Sequence, residues 1–508
     1  MVTEPRTISG SVTGLFSAIQ TADGEIPVNA LWREREPNSY DAFGGEEEMV
    51  TREPINRGRQ LQPGIPVGFS GTAGFEEDAT LFGMQDDLSL FCCAAIRKKT
   101  RAVSTAVAAD GYTVASGGAA FVTGTLIFVE GATIASNNGL KVCGASTGTK
   151  IAVAGLTIEA TAVRIAKVGY QVASGDGAVT IVGNKPRFGA GAFDLTTLGI
   201  IPGEIVYLGG DSAATAFATA ADAGWARVYS VAAGYLEFDK TDQVFVADAG
   251  AAKTIQLFFG DYLKNEADPA LQTYKKMCLR RTLGAPDKEL PGVHQSQVLL
   301  DATANEYDMT VNEKDKVTAS VSYIIGDERF FDNDATVDPG GTLVPVTDVE
   351  IFATTSNVTR TRMAYIDDLA AGPAPKPVFA VFQDFSLNIN NNVSESFAVT
   401  VRGLYDTTPG NFVVTGSFTG YFTLVEQLRA VRDAKRVTFL STMYRKNAGV
   451  AVDIPMVTLS TGGLEVEANS PITIPIDAQA ATGRSYSLNM DHTISYTFFN
   501  YLPTRAAK

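Results

Sequence analysis

Few groups in this chain have the types and spacing that chemistry needs. Its 508 residues include two histidines, His294 and His492, far apart in sequence. Neither sits in an HExxH pattern or beside a cysteine, so neither a histidine-dependent triad nor a zinc protease site is indicated. The four cysteines are Cys92, Cys93, Cys143 and Cys278. Two are adjacent and none has CxxC spacing, so no disulfide framework or zinc site is expected. "GASTGTK", Gly144 to Lys150, shares only its glycine content with a phosphate loop and reads as a β turn. "GFSGTAG" is not a nucleophile elbow, because Gly71 follows Ser70 directly. Carboxylates cluster in "GEEEM" (Glu46 to Glu48), "FEEDA" and "MQDDL". Two carboxylates converging in a cleft would make a glycosidase, but a solvated acidic face is the simpler reading. Asn390 to Asn392 could offer amides to a metal, yet a hairpin turn fits better because asparagine tolerates positive φ. No catalytic, cofactor-binding or metal residue is assigned, and no cofactor is expected.

The elements that would have to position such groups are mainly β. Hydrophobic residues make up 45% and charged residues 19% of the chain, enough apolar material for real cores. Gly, Ala, Val and Thr dominate and long helical periodicity is scarce. The length is a prior for about three domains. The formal charge of -15 argues against a protein that grips nucleic acid, since affinity for phosphates comes from Lys and Arg. The N-terminus carries no basic region followed by an apolar run, and no apolar stretch of about 18 residues occurs, so neither a signal peptide nor a membrane span is read.

Along the chain, Gly64 to Lys99 reads as a glycine-bearing strand leading into a helix. Phe75, Leu81, Phe82, Leu88 and Phe91 recur at roughly helical spacing, with acidic residues early and basic ones late, as suits a helix dipole. At about Arg101 the composition turns Ala- and Gly-rich and charge-poor. It stays so to about Gly260, with one strand plan occurring at Phe121 to Gly155 and again at Ile200 to Lys240. "NNG" and "DAG" are turn signals within the two copies. A second, larger repeat joins Val67 to Cys92 with Val414 to Thr442, and Leu299 to Gly326 with Val457 to Gly483. One β domain thus occurs twice, and its first copy is split by the insertion. The expected division is an N-terminal arm or loop at 1–49, a first domain at 50–100 with 261–335, an inserted decoration region of two small β modules at 101–260, a linker at 336–348, and a second domain at 349–508. Excision of the insertion, joining Lys99 to Tyr262, is expected to leave the rest intact.

The series "FSLNINNN…VTGSFTGYF…IPMVTLSTGG…ATG" resembles the major tail tube protein of long-tailed bacteriophages. In that family an asparagine-rich hairpin, a glycine strand, a helix and an "lP" strand follow in this order. Here they correspond to Asn390 to Asn392, Thr415 to Phe422, Thr423 to Ala434, and Ile454 to Pro455. The resemblance covers residues 50–505 in outline and rests on order and rhythm. It implies two tail-tube β-sandwich or barrel-type domains, each with a helix, plus inserted β modules. It further implies a non-enzymatic structural protein of the virion, made in the host bacterial cytoplasm. Three chains would close a homotrimeric ring of pseudo-hexameric symmetry, and rings would stack into the tube. The implied partners are further copies of itself, a tape measure protein inside the tube, and terminator and tip proteins. The viral genome would pass down the lumen without specific binding, and no membrane is implied. The rival reading is an extracellular or surface β-sandwich adhesion protein, to which a signal peptide would belong. A carbohydrate-active enzyme is a third, with only Trp32 and Trp225 to line an aromatic cleft.

Overall fold

Alternating apolar and polar residues put every other side chain on one face of an extended chain, and this chain uses that pattern almost throughout. The computed structural model describes residues 13–52, 62–239, 243–284, 293–346, 350–366, 377–460, 462–486 and 490–507. Among them are one 18-stranded sheet, one 12-stranded sheet, a two-stranded ribbon and two α-helices.

In the first half, β1 (Pro37–Arg52) and β2 (Gln62–Asp78) form a long antiparallel hairpin. Helix α1 (Leu81–Phe91) follows. Then β3 (Ser296–Val311) pairs with β4 (Val317–Ile325), and β4 returns to pair with β2. The second half repeats this plan. β5 (Phe382–Asn390) pairs with β6 (Val413–Tyr421), and α2 (Val425–Arg432) follows. β7 (Arg436–Arg445) comes next. Then β8 (Ala448–Ser460) pairs with β9 (Thr473–Ala481), and β9 returns to β6. β8 also pairs with β7 and with the last strand, β10 (Ser495–Phe499). The protein is therefore mainly β, with two copies of one sheet-and-helix unit plus an inserted β region.

Helix α1 is shorter than its sequence pattern. Phe75 lies in β2, facing the core, and Phe82 is 45% exposed. No charged residue occupies either terminal turn of α1, so the expected dipole complement is absent. The acidic run belongs to the preceding strand and the basic run to the following loop. What starts the helix is Thr80, whose Oγ1 accepts from the Gly83 N–H at 3.1 Å. Leu81, Met84, Leu88 and Phe91 then bury one face against the sheet, with the Phe91 ring 5.5 Å from Tyr307 and 5.4 Å from Tyr323. Helix α2 is capped differently: the Gln427 Oε1 accepts from the Thr423 and Leu424 N–H groups at 2.8 and 3.1 Å.

The segment read as an N-terminal arm or loop contains three strands in its described part, joined by a loop at 20–30. Gly14–Ile19 pairs with Lys276–Thr282 and with Leu31–Arg35, because Leu15 and Trp32 go into the core. Residues 1–12 lie outside the described residues. The 336–348 segment contributes a short strand, Thr342–Val344, parallel to Leu31–Arg35. Its Asp338 accepts from the N–H groups of Asn29 and Ala30 and from the Trp32 indole. Residues 347–348 lie outside the described residues.

Between 101 and 260, buried side chains form two clusters. One is built on Val107, Tyr112, Phe121, Ile127 and Ile165, and the other on Phe188, Leu208, Val228, Phe238 and Leu257. One sheet path runs through both. The two "turn" copies hold corresponding 3-10 turns, Ala135–Asn137 and Ala220–Asp222, each ending on a buried polar side chain. The ends of the insertion are side by side. Arg97 and Tyr262 form a bridge, and Asp261 accepts from the Lys99 N–H at 2.7 Å.

Candidate functional site

The groups singled out for chemistry do not converge. His294 is exposed, while His492 is fully buried and lies 6.4 Å from the Tyr262 ring, its basicity lowered mainly by burial. All four cysteines are free thiols; Cys92, Cys143 and Cys278 are buried, and burial pushes the Cys93 thiol up to about 11. Gly144 to Lys150 forms a tight turn in which the Thr147 N–H donates to the Lys150 carbonyl at 2.9 Å, with no helix behind it. Trp32 and Trp225 lie in separate core clusters. Among the described residues no group of three or more His, Cys, Asp or Glu is placed to hold a metal ion.

The carboxylate pair that does come together is Glu77 with Asp87. Arg35 forks both: its Nη2 is 2.6 Å from Glu77 Oε1 and 2.6 Å from Asp87 Oδ2. All three side chains are at most 10% exposed. Burial pushes the Glu77 carboxyl up to about 8, Arg35 opposes the shift, and Asp87 adds to it. One cation is thus shared by two buried carboxylates. The pair ties helix α1 to the strands beneath it.

What the fold does position is a surface. The C-terminal part of β3 is shared: Glu306–Val311 pairs with β4 on one side and with β5 of the second half on the other. The two halves thereby form one continuous sheet in the order β1, β2, β4, β3, β5, β6, β9, β8. Asparagines fasten this joint. The Asn388 Nδ2 donates to Glu306 at 2.7 Å. Asn391, 3% exposed, donates from its Nδ2 to the carbonyls of Phe91 and Ala304, both at 3.0 Å. It satisfies an orphan carbonyl at the end of α1 from the other half of the chain. Asn392 has a φ of 46°, as the turn reading of this tripeptide expects, but its neighbour Asn391 does the holding.

On the face away from the core, polar side chains line up across the strands. One row runs Glu76, Ser320, Asp308, Asn388, Thr415, Gln479; the next runs Asp78, Thr318, Thr310, Ser386, Ser417, Asp477. Neither row contains Lys or Arg. The alternate positions, among them Tyr307, Met309, Val321, Leu387, Phe418 and Ile476, are buried. This two-faced sheet is the feature that order and alternation foreshadowed.

The insertion sits on a different part of the molecule. Leu126, Ile205, Tyr207, Trp225 and Phe258 of the insertion share a cluster with Leu440, Tyr444, Ala451, Phe499 and Leu502 of the second half. At its edge Arg227, fully buried, forks Asp453 of β8 with contacts of 2.9 and 2.6 Å, and its Nη1 reaches Asp239 at 3.2 Å. Burial pushes the Asp453 carboxyl up and Arg227 opposes it. Sequence reasoning missed this pair: Arg227 and Asp453 are far apart in the chain and neither lies in a motif.

The family model for "Phage tail tube protein" matches residues 190–480, more than half of the chain, and spans the joint between the halves. The chain belongs to the phage tail tube protein family. It is accordingly a structural component of the phage tail and so of the virion, and membership implies assembly with itself and with other tail proteins. Among solved structures, the SPP1 tail tube is similar at 18% identity over 25% of this chain and 73% of that one, with a TM-score of 0.20. No curated protein matches. No helix among the described residues is long and apolar enough to cross a membrane.

Proposed function

We propose that three copies of this chain close a ring, that rings stack into the tail tube, and that the tube conducts the viral genome into the host cell. The observation that carries this reading is the in-chain joint β3·β5. It makes one chain present two tube units side by side, so three chains supply six. Closing the sheet on itself removes the edges that a free sheet would offer to any passing strand.

The polar rows form the inner wall in this reading. They carry Asp, Glu, Ser, Thr, Asn and Gln without a Lys or Arg, so phosphates find no cation whose counterions they could release. DNA then slides, and the protein does no catalysis. The insertion, 101–260, sits outside the lumen, because it docks on β7, β8 and β10 and not on the polar rows. Domain limits follow the division above, 50–100 with 261–335 and 349–508, with the strand Pro37–Arg52 joining the first domain. A tape measure protein occupies the lumen before ejection, and terminator and tip proteins cover the two ends. Electron microscopy of the purified protein with mass measurement of single rings tests this reading. Hollow tubes or rings of three chains support it; a strict monomer at every salt and protein concentration refutes it.

A further inference from the structure

We infer that the residues from Gly463 to Ala468 are a strand in waiting, which pairs with Phe43–Glu48 of a second copy of this chain; the inference rests on the ring reading above. The joint within the chain supplies the template. In the first half, the Glu306–Val311 part of β3 is held on both sides. The second half has the same ladder up to a point. In the first, a one-residue register shift falls between Ala304 and Glu306. In the second, an equal shift falls between the pairs Ser460↔Asp477 and Glu465↔Thr473. Aligning Gly71↔Ile325 with Gly416↔Ala478 then makes Leu464 the counterpart of Tyr307, Glu465 of Asp308, and Val466 of Met309.

The counterparts differ in what covers them. Tyr307 and Met309 are each 1% exposed, whereas Leu464 is 40% and Val466 67% exposed. Glu465 still exchanges hydrogen bonds with Thr473, at 3.0 and 3.3 Å, but among the described residues no strand pairs with its other edge. β8 ends at Ser460 where β3 runs on to Val311. A strand held on one side only forfeits half its ladder.

At the opposite end of the continuous sheet, β1 pairs with β2 alone among the described residues. It is the counterpart of β5, since Gly45↔Gly71 matches Leu387↔Gly416. The Gly45 N–H is met by the Glu328 carboxylate at 3.2 Å and not by a strand. Repeating the β3·β5 joint between chains sets Glu46 opposite Glu465 and Gly45 opposite Val466, antiparallel. The occupant is a second copy, because the two edges are the two ends of one sheet and the joint between them already exists once in every chain. The two joints are not equally strong. Inside the chain, Asn388 faces Asp308; between chains, Glu46 faces Glu465, and like charges directly opposite destabilise a ladder.

The test uses the full chain in a Cys93→Ser background, the other cysteines being buried. Glu46→Cys with Glu465→Cys is oxidised after assembly and run on a denaturing gel. A covalent ladder ending at the trimer, absent from either single substitution and weaker for Glu46→Cys with Glu467→Cys, is expected. Val466→Pro should leave a folded monomer of unchanged β content that forms no rings, and Glu46→Gln should lower the protein concentration needed for assembly several-fold. Rings that form without the cross-link, together with normal assembly of Val466→Pro, overturn this joint and leave the ring reading standing. An unsubstituted chain that never assembles overturns both.

Discussion

Asp453 has no access to water and depends on Arg227 for its charge. Truncating one partner of such a pair strands the other, which costs about 3–5 kcal/mol, while an apolar replacement of both is often neutral. Arg227→Ala is therefore expected to destabilise the protein strongly in denaturant titrations. Arg227→Met combined with Asp453→Leu and Asp239→Asn, which removes both carboxylates that face the guanidinium, is expected to recover most of the loss. Glu77 makes a different prediction. Its carboxyl is raised from 4.5 to about 8 in the folded state, so the native protein holds a proton that the unfolded chain releases. The stability it contributes is fully present below pH 4.5 and is lost as pH rises towards 8. Glu77→Gln keeps the hydrogen-bonding shape without the proton, and it is expected to flatten the fall in unfolding free energy measured between pH 5 and pH 8. An unchanged slope in the variant would assign it to other groups.

At the scale of elements, the insertion behaves as part of the second half and not as an appendage. Its Trp225 stacks edge-on against Phe499 at 5.4 Å, and it covers Leu440, Tyr444 and Ala451. Excising residues 101–260 uncovers that apolar patch and leaves Asp453 without its cation. The deletion is thus expected to aggregate or to melt well below the full chain, contrary to the separability that its composition suggests. Adding Arg227 contacts back cannot rescue it; replacing Leu440 and Phe499 with polar residues in the deletion should restore solubility if the patch is the cause. The composition break at Arg101 marked where the insertion starts, but composition says nothing about which face it docks with.

For the whole molecule, the polar rows set the behaviour of the assembled wall. Asp477 lies in a row with Ser417, Ser386 and Thr310 on the side of the sheet away from the core. Asp477→Lys is expected to leave the chain folded, since this side chain is exposed. Repeated in every ring, it would give tubes that retain duplex DNA in a salt-sensitive way and phages that eject more slowly at low salt. Equal DNA retention by unsubstituted and substituted tubes would remove the electrostatic account of the wall.

Periodicity and order alone determined the β class, the duplicated unit, the two helices and the family resemblance, because these depend on local alternation and on strand glycines such as Gly71 and Gly416. Other features needed the tertiary structure. The end of α1 was set by Thr80 and by sheet contacts, which moved Phe75 into a strand and Phe82 to the surface. Asn391 looked like one more turn asparagine until folding brought the carbonyl of Phe91 within its reach. Arg227 and Asp453 carry no local pattern, and their pairing exists only because two distant strands are packed face to face in a place that water cannot enter. Alternation is written residue by residue and can be read in one dimension. Desolvation and register belong to neighbours that only the folded chain brings together.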